Sequence, residues 1–157
     1  MECRTFEITL ISANNLEQFT RLCRMKVYAR VSIGGGTEEK GKRTPTDWHG
    51  ASNPAWNFTL KHTLNESMVQ HYNTMLVVKL FSHRRLACDR YVGEVHTPIK
   101  QLFDLAAASG GSAILTFPVQ KGSASSQGAI RFSYRFGEKV TIDKMLLAES
   151  VAGWTQC

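Results

Sequence analysis

Between Phe81 and Gly93 the chain reads FSHRRLACDRYVG, and residue types able to do chemistry are densest there. His83, Arg84, Arg85 and Arg90 offer positive charge, Cys88 a thiol and Asp89 one carboxylate. A second basic group, Arg21, Arg24 and Lys26, stands just before the apolar run at 27–33. Cations at this density suit an anionic partner: a lipid headgroup, nucleic acid or an acidic protein. A solvated, solubilising surface is the competing reading of the same charges. Covalent catalysis finds little support. Ser82–His83 and the histidines at 49, 62, 71 and 96 form no arrangement of nucleophile, base and orienter. H-E-x-x-H, P-loop and G-x-S-x-G patterns are absent, so the protein is expected not to be an enzyme.

The flanking elements must position these side chains. Residues 5–11 alternate, with Phe6, Ile8 and Leu10 on one face, as a half-buried strand does. Residues 27–33 repeat the pattern, and Gly34-Gly35-Gly36 ends it. Residues 42–48 form a polar strand candidate, which Pro45 assigns to a sheet edge. From Trp56 to Leu64 the alternation places Trp56, Phe58, Leu60, His62 and Leu64 on one face, with His62 as a core or edge histidine. Residues 65–71 suit a short helix capped by Asn65. Strands follow at 75–81 and 91–97, then a short helix from Ile99, then strands at 113–119 and 128–136 around a Gly/Ser-rich turn at 120–127. These eight strands, with one or two short helices in their connections, predict an all-β fold: an antiparallel β-sandwich buried on one face of each sheet.

With 157 residues the chain suits a single domain with its own core. Hydrophobic residues at 43% and charged residues at 20% fit a folded globular protein. No apolar run nears the roughly 18 residues of a membrane-crossing helix, and residues 1–6 carry no basic-then-apolar leader pattern. A cytoplasmic location is therefore expected. The net charge is +6 and unevenly placed: residues 20–100 hold 13 Lys or Arg against 6 Asp or Glu. Cys3, Cys23, Cys88 and Cys157 show no C-x-x-C spacing and read as free thiols, with an approach of Cys23 to Cys88 as the alternative. Nucleic acid is the weakest partner, since the basic segments carry few aromatics and no zinc or helix-turn-helix signature.

Five stretches together resemble the C2 domain family: residues 6–16 (FEITLISANNL), 27–33 (VYARVSI), 53–60 (NPAWNFTL), 92–102 (VGEVHTPIKQL) and 128–138 (GAIRFSYRFGE). More narrowly, the chain is similar to small single-C2 proteins of plants associated with cold, stress and defence. The resemblance spans 1–138 and leaves 139–157 as a loosely ordered tail. It implies three loops gathered at one end, at 12–26, 47–55 and 82–91, where many members bind calcium through Asp carboxylates. This chain departs from that pattern. Asn14 and Asn15 stand in the first loop, Lys26 replaces the Asp before Val27, and His83, Arg84 and Arg85 replace the acidic cluster. Asp89 is the one weak remnant of a metal site. Each neighbouring cation at 4 Å would repel calcium by about 8 kcal/mol, twice the unit-charge figure at an effective dielectric near 20. No cofactor is expected.

The resemblance thus implies peripheral, calcium-independent binding to anionic phospholipid membranes, most simply the plasma membrane, in stress or defence signalling. The apical cations Arg21, Arg24, Lys26, His83, Arg84, Arg85 and Arg90 would make the contact, with Leu22, Met25, Leu86 and Tyr91 available for shallow insertion. A second basic surface on the sheet, Arg30, Lys40, Lys42, Arg43 and Lys61, resembles the phosphoinositide-binding faces of C2 domains. The alternative is an interaction module that meets an acidic protein partner with little lipid binding.

Overall fold

The computed structural model describes residues 2–19, 24–34 and 41–141. Arg21, Leu22, Cys23, Lys40 and the chain from 142 lie outside the described residues, and so do the expectations that rest on them.

Alternating sequence becomes strand where one side chain in two can be buried. β1 (Glu2–Asn14), β2 (Val27–Ile33), β5 (Met75–Ser82) and β6 (Arg90–Pro98) follow the expected pattern, as do β7 (Ser112–Lys121) and β8 (Ala124–Phe136). β3 (Lys42–Arg43), β4 (Ala55–Asn65) and β9 (Val140–Thr141) complete the strands among the described residues. The order across the sheet is β3-β2-β5-β6-β7-β8-β1-β4, every neighbouring pair antiparallel, and β9 pairs with β1. A single pairing, Glu94 with Gln120, links β6 to β7. There the sheet curls, and its two four-stranded halves close on each other as the layers of a sandwich. The core lies between them: Phe6, Ile8 and Leu10 of β1, Val27 and Val31 of β2, Leu76, Val78 and Leu80 of β5, and Ile130 and Phe132 of β8 are all buried.

The two short helices pack at the end of the sandwich away from the basic loops. In α1 (Glu66–Gln70) the Asn65 side chain accepts the Met68 backbone N–H at 3.0 Å, the expected cap. α2 (Ile99–Ala107) buries Ile99, Leu102 and Ala106, and Gly110 and Gly111 then turn the chain with positive φ. His62 sits in the core at 2% exposure, opposite Phe6.

Four expectations are revised. The polar strand at 42–48 shrinks to Lys42–Arg43 plus one bridge from Val27 to Asp47, because Pro45 offers no N–H to the ladder; its place at the sheet edge is as expected. Phe58 sits opposite Leu10, yet β4 is an end strand and Phe58 stays 37% exposed. Beside it Asn57 adopts φ 48°, where the β1–β4 register slips by one residue. The turn at 120–127 is a tight hairpin instead: Lys121 pairs with Ala124 across Gly122 (φ 60°), and 124–127 are strand. Beyond residue 138, Val140 and Thr141 pair with Cys3 and Glu2, carrying the sheet past the expected boundary.

Candidate functional site

β1 ends, β2 begins, β4 begins, β5 ends and β6 begins at one end of the sandwich, so residues 15–19, 24–26, 44–54 and 83–89 of their connections gather there. Backbone bonds fasten them. Leu16 N–H donates to the Ser52 carbonyl (3.0 Å) and His83 N–H to the Lys26 carbonyl (2.8 Å). The Asn53 side chain accepts from the Asn15 N–H at 2.9 Å.

Side chains complete the joint. Trp48 projects from the second loop at 50% exposure. The Lys26 ammonium lies 5.3 Å from its ring centre, and the His83 ring meets it edge-on at 5.5 Å. One residue from each loop thus meets at Trp48. Arg90 turns aside, stacking 4.2 Å over Phe19, which Lys121 also covers at 4.5 Å. Arg84 folds back on its own loop, its Nε donating to the Cys88 carbonyl at 2.7 Å. Arg24, Arg85 and Leu86 face solvent, Leu86 at 96% exposure. Of the three described residues among the four expected to insert, Leu86 alone is fully exposed. Met25 is 5% exposed and packs in the core; Tyr91 is half-buried, its hydroxyl bound to Glu94; Leu22 is outside the described residues.

Both nearby aspartates serve the loops themselves. Asp47 accepts the N–H groups of His49 (3.2 Å), Gly50 (3.1 Å) and Ala55 (3.1 Å), closing the second loop. Asp89 accepts the Tyr28 hydroxyl at 2.6 Å and the Arg84 N–H at 3.3 Å, with His83 Nδ1 3.5 Å away. The Tyr28 bond holds the Asp89 carboxyl below the usual carboxylate range, with Arg84, His83 and Arg43 adding to it against a smaller opposing effect of burial. Burial first, and then Asp89, pushes the Tyr28 hydroxyl up. Glu17 is paired with Lys121 at 3.2 Å. Calcium takes six to eight oxygens, and carboxylates spent in this way among Lys26, Arg84 and Arg90 do not make such a set. Among the described residues no three of His, Cys, Asp and Glu gather as a metal-binding group. The described residues of these loops therefore do not offer the ion a fitting set of oxygens.

The basic sheet face divides. Arg30 and Arg43 pair across β2 and β3, and each lies on an aromatic ring: Arg43 is 3.6 Å over Tyr28, Arg30 5.2 Å over Phe81. Tyr28 stacks on Phe81 at 5.5 Å, and Tyr91 meets Phe81 edge-on at 6.0 Å. Lys61 does not join them. Its ammonium is 3.6 Å from Glu7 on the other layer, and its carbonyl accepts a hydrogen bond from the Lys42 ammonium across the open edge. Exposed Cys88 and buried Cys3 are free thiols. Sequence reasoning missed Trp48 and the Tyr28–Phe81–Tyr91 strip. An exposed tryptophan in a turn-rich loop was the available signal for the first; outward alternation on β2 was the signal for part of the second.

A family model described as C2 domain matches residues 4–114, and this chain belongs to that family. Protein SRC2 of Glycine max is 36% identical over 141 residues, covering 89% of this chain and 48% of the relative. Elicitor-responsive protein 3 of Oryza sativa subsp. japonica is 26% identical, covering 97% of this chain and 96% of the relative. The chain thus spans about half of the first and nearly all of the second. Among solved structures, a C2 domain of plant Extended Synaptotagmin 1 superposes with a TM-score of 0.69 at 12% identity, over 88% of this chain and 96% of that one. That likeness concerns the fold. No helix among the described residues is long and apolar enough to cross a membrane.

Proposed function

We propose that this C2 domain is a non-catalytic module that attaches peripherally to anionic phospholipid membranes through its apical loops, without calcium. The observation that carries the reading is the third loop, where Leu86 stands 96% exposed directly after Arg84 and Arg85. An isolated exposed leucine is unremarkable by itself. In a basic loop whose His83 meets half-exposed Trp48, it is an apolar prong beside cations. Tryptophan suits the headgroup level, with an apolar body and a polar N–H. Each Lys or Arg near an anionic surface contributes about 1 kcal/mol, fading with salt. Arg30 and Arg43, spread over aromatic rings, are a second contact for phosphorylated headgroups. The name of one plant relative, elicitor-responsive protein 3, supports a place in stress or defence signalling; the membrane face in this reading is the cytoplasmic side of the plasma membrane.

Co-sedimentation with phosphatidylserine vesicles tests the reading, with calcium or with a chelator, across a salt series. Binding is expected in the chelator and is expected to fall as salt rises. The Arg84→Glu/Arg85→Glu variant reverses two charges and should lose roughly tenfold or more in partitioning. Undiminished binding by that variant would remove the loop from the contact. Binding that appears only with calcium would overturn the calcium-independent reading. No binding under any condition, with a protein partner retained in high salt, would replace the membrane by an acidic protein.

A further inference from the structure

The third apical loop is built around Asp89 in a way that its net charge does not explain. Its side chain is 29% exposed and touches three parts of the fold at once. Oδ2 accepts the hydroxyl of Tyr28, a residue of β2 that is 2% exposed beneath Arg43 and against Phe81. Oδ1 accepts the backbone N–H of Arg84 at the start of the loop and lies near His83 Nδ1. Arg84 Nε in turn closes on the Cys88 carbonyl at 2.7 Å. The base of the loop is therefore pinned at both ends, and the pin runs into the sheet. Arg85 and Leu86 are what the closed loop leaves projecting.

We propose that Asp89 is a positioning residue: an internal latch that fastens the third loop to Tyr28 and so presents Arg85 and Leu86 to the membrane. The inference rests on the membrane-binding reading above and adds to it what keeps the loop in shape without a metal. A hydrogen bond from a hydroxyl to a carboxylate at 2.6 Å is of the strong, charge-assisted kind. Holding the loop before contact removes an ordering cost from binding. The same bond positions the Tyr28 ring under Arg43, so the latch joins the loop tip to the sheet-face cations.

The competing account treats Asp89 as one more charge. An acidic group amid cations weakens attraction to an anionic surface, so neutralising it should strengthen binding. The latch requires the opposite sign. Asp89→Asn and Tyr28→Phe are compared with the parent protein by partitioning onto phosphatidylserine vesicles in chelator. Tyr28→Phe changes no charge and should still lose about threefold, the scale of one or two side chains ordered on binding. Asp89→Asn should bind more weakly despite its extra net positive charge. The double variant should be no weaker than the weaker single one, because both remove the same bond. Hydrogen exchange on the free protein reads the latch directly. The Arg84 amide should exchange about tenfold faster in Asp89→Ala, while β5 amides keep parental rates and so report an intact fold. Tighter vesicle binding by Asp89→Asn, or an unchanged Arg84 exchange rate in Asp89→Ala, would overturn the latch. If the parent protein binds no vesicles, the membrane reading fails alone, and Arg84 exchange still decides the latch.

Discussion

His62 shows how far a single side chain can depart from its ordinary chemistry. It is buried opposite Phe6, whose ring centre is 6.3 Å away, and its Nε2 has no hydrogen-bond partner among the described residues. Burial, helped by nearby Lys42, lowers its pKa from 6.5 to about 4. The unfolded chain therefore binds a proton between these values that the folded chain refuses. The stability from keeping His62 neutral is fully present above pH 6.5 and is lost as pH falls toward 4. The loss amounts to about 3 kcal/mol at roughly 1.4 kcal/mol per pKa unit. Urea denaturation at pH 7 and pH 4.5 should show it, and His62→Leu should flatten that part of the profile. It should keep stability at pH 7 within about 1 kcal/mol, since it removes an unpaired polar atom and roughly conserves the apolar packing. A profile as steep in the variant as in the parent would assign the acid sensitivity to other groups.

At the scale of elements, the point of greatest constraint is the turn from one layer to the other. β6 reaches β7 through Glu94 and Gln120 alone, and Gly93 stands next to that pair. A Cβ on Gly93 would press into Val119 Cγ1 and lie 3.1 Å from the Gln120 carbonyl oxygen. Val119 is 1% exposed and β-branched, so it cannot swing away cheaply. Gly93→Ala should cost about 1–3 kcal/mol by overpacking, read as a lower urea midpoint with little change in slope. Parental stability would mean that the layers slide freely at this crossing. Nothing local in the sequence marks Gly93, whereas the long strands were legible. Phe6-Ile8-Leu10 and Leu76-Val78-Leu80 alternate because each strand buries one face, and periodicity reports that directly. Two-residue strands such as Lys42–Arg43 and Val140–Thr141 are too short to alternate, and at 120–127 the Gly/Ser composition masked a hairpin whose outward residues simply lack apolar side chains. In the apical site, the cations and the shortage of carboxylates were legible as composition. The meeting of Lys26, Trp48 and His83 was not, because it joins residues from three separate connections. For the same reason Asp89 read as a leftover metal ligand, when its partner is Tyr28 from another strand.

Across the whole molecule the two layers differ in what their cations touch. In the half built from β7, β8, β1 and β4 several cations meet carboxylates: Glu7 lies near both Lys61 and Arg135, and Lys139 pairs with Glu2. The half built from β3, β2, β5 and β6 carries Arg30 and Arg43 on aromatic rings and adjoins the basic loops. In the proposed membrane-bound state this arrangement would offer an anionic surface two separate contacts, the loop tip and the β2–β3 face. Their roles should be separable. Arg30→Gln/Arg43→Gln removes two cations from the face while leaving Leu86 and Trp48 in place. Its affinity for phosphatidylserine vesicles should fall only a few-fold. Its preference for vesicles doped with a polyphosphorylated inositol lipid should fall by roughly tenfold, since a compact multivalent headgroup uses clustered guanidinium groups most. Leu86→Ser should weaken both vesicle types about equally, because insertion depends on the apolar interior and not on the headgroup. Parallel losses on both lipids in the arginine variant would merge the face and the tip into one undifferentiated field, and binding should then track net charge and salt alone.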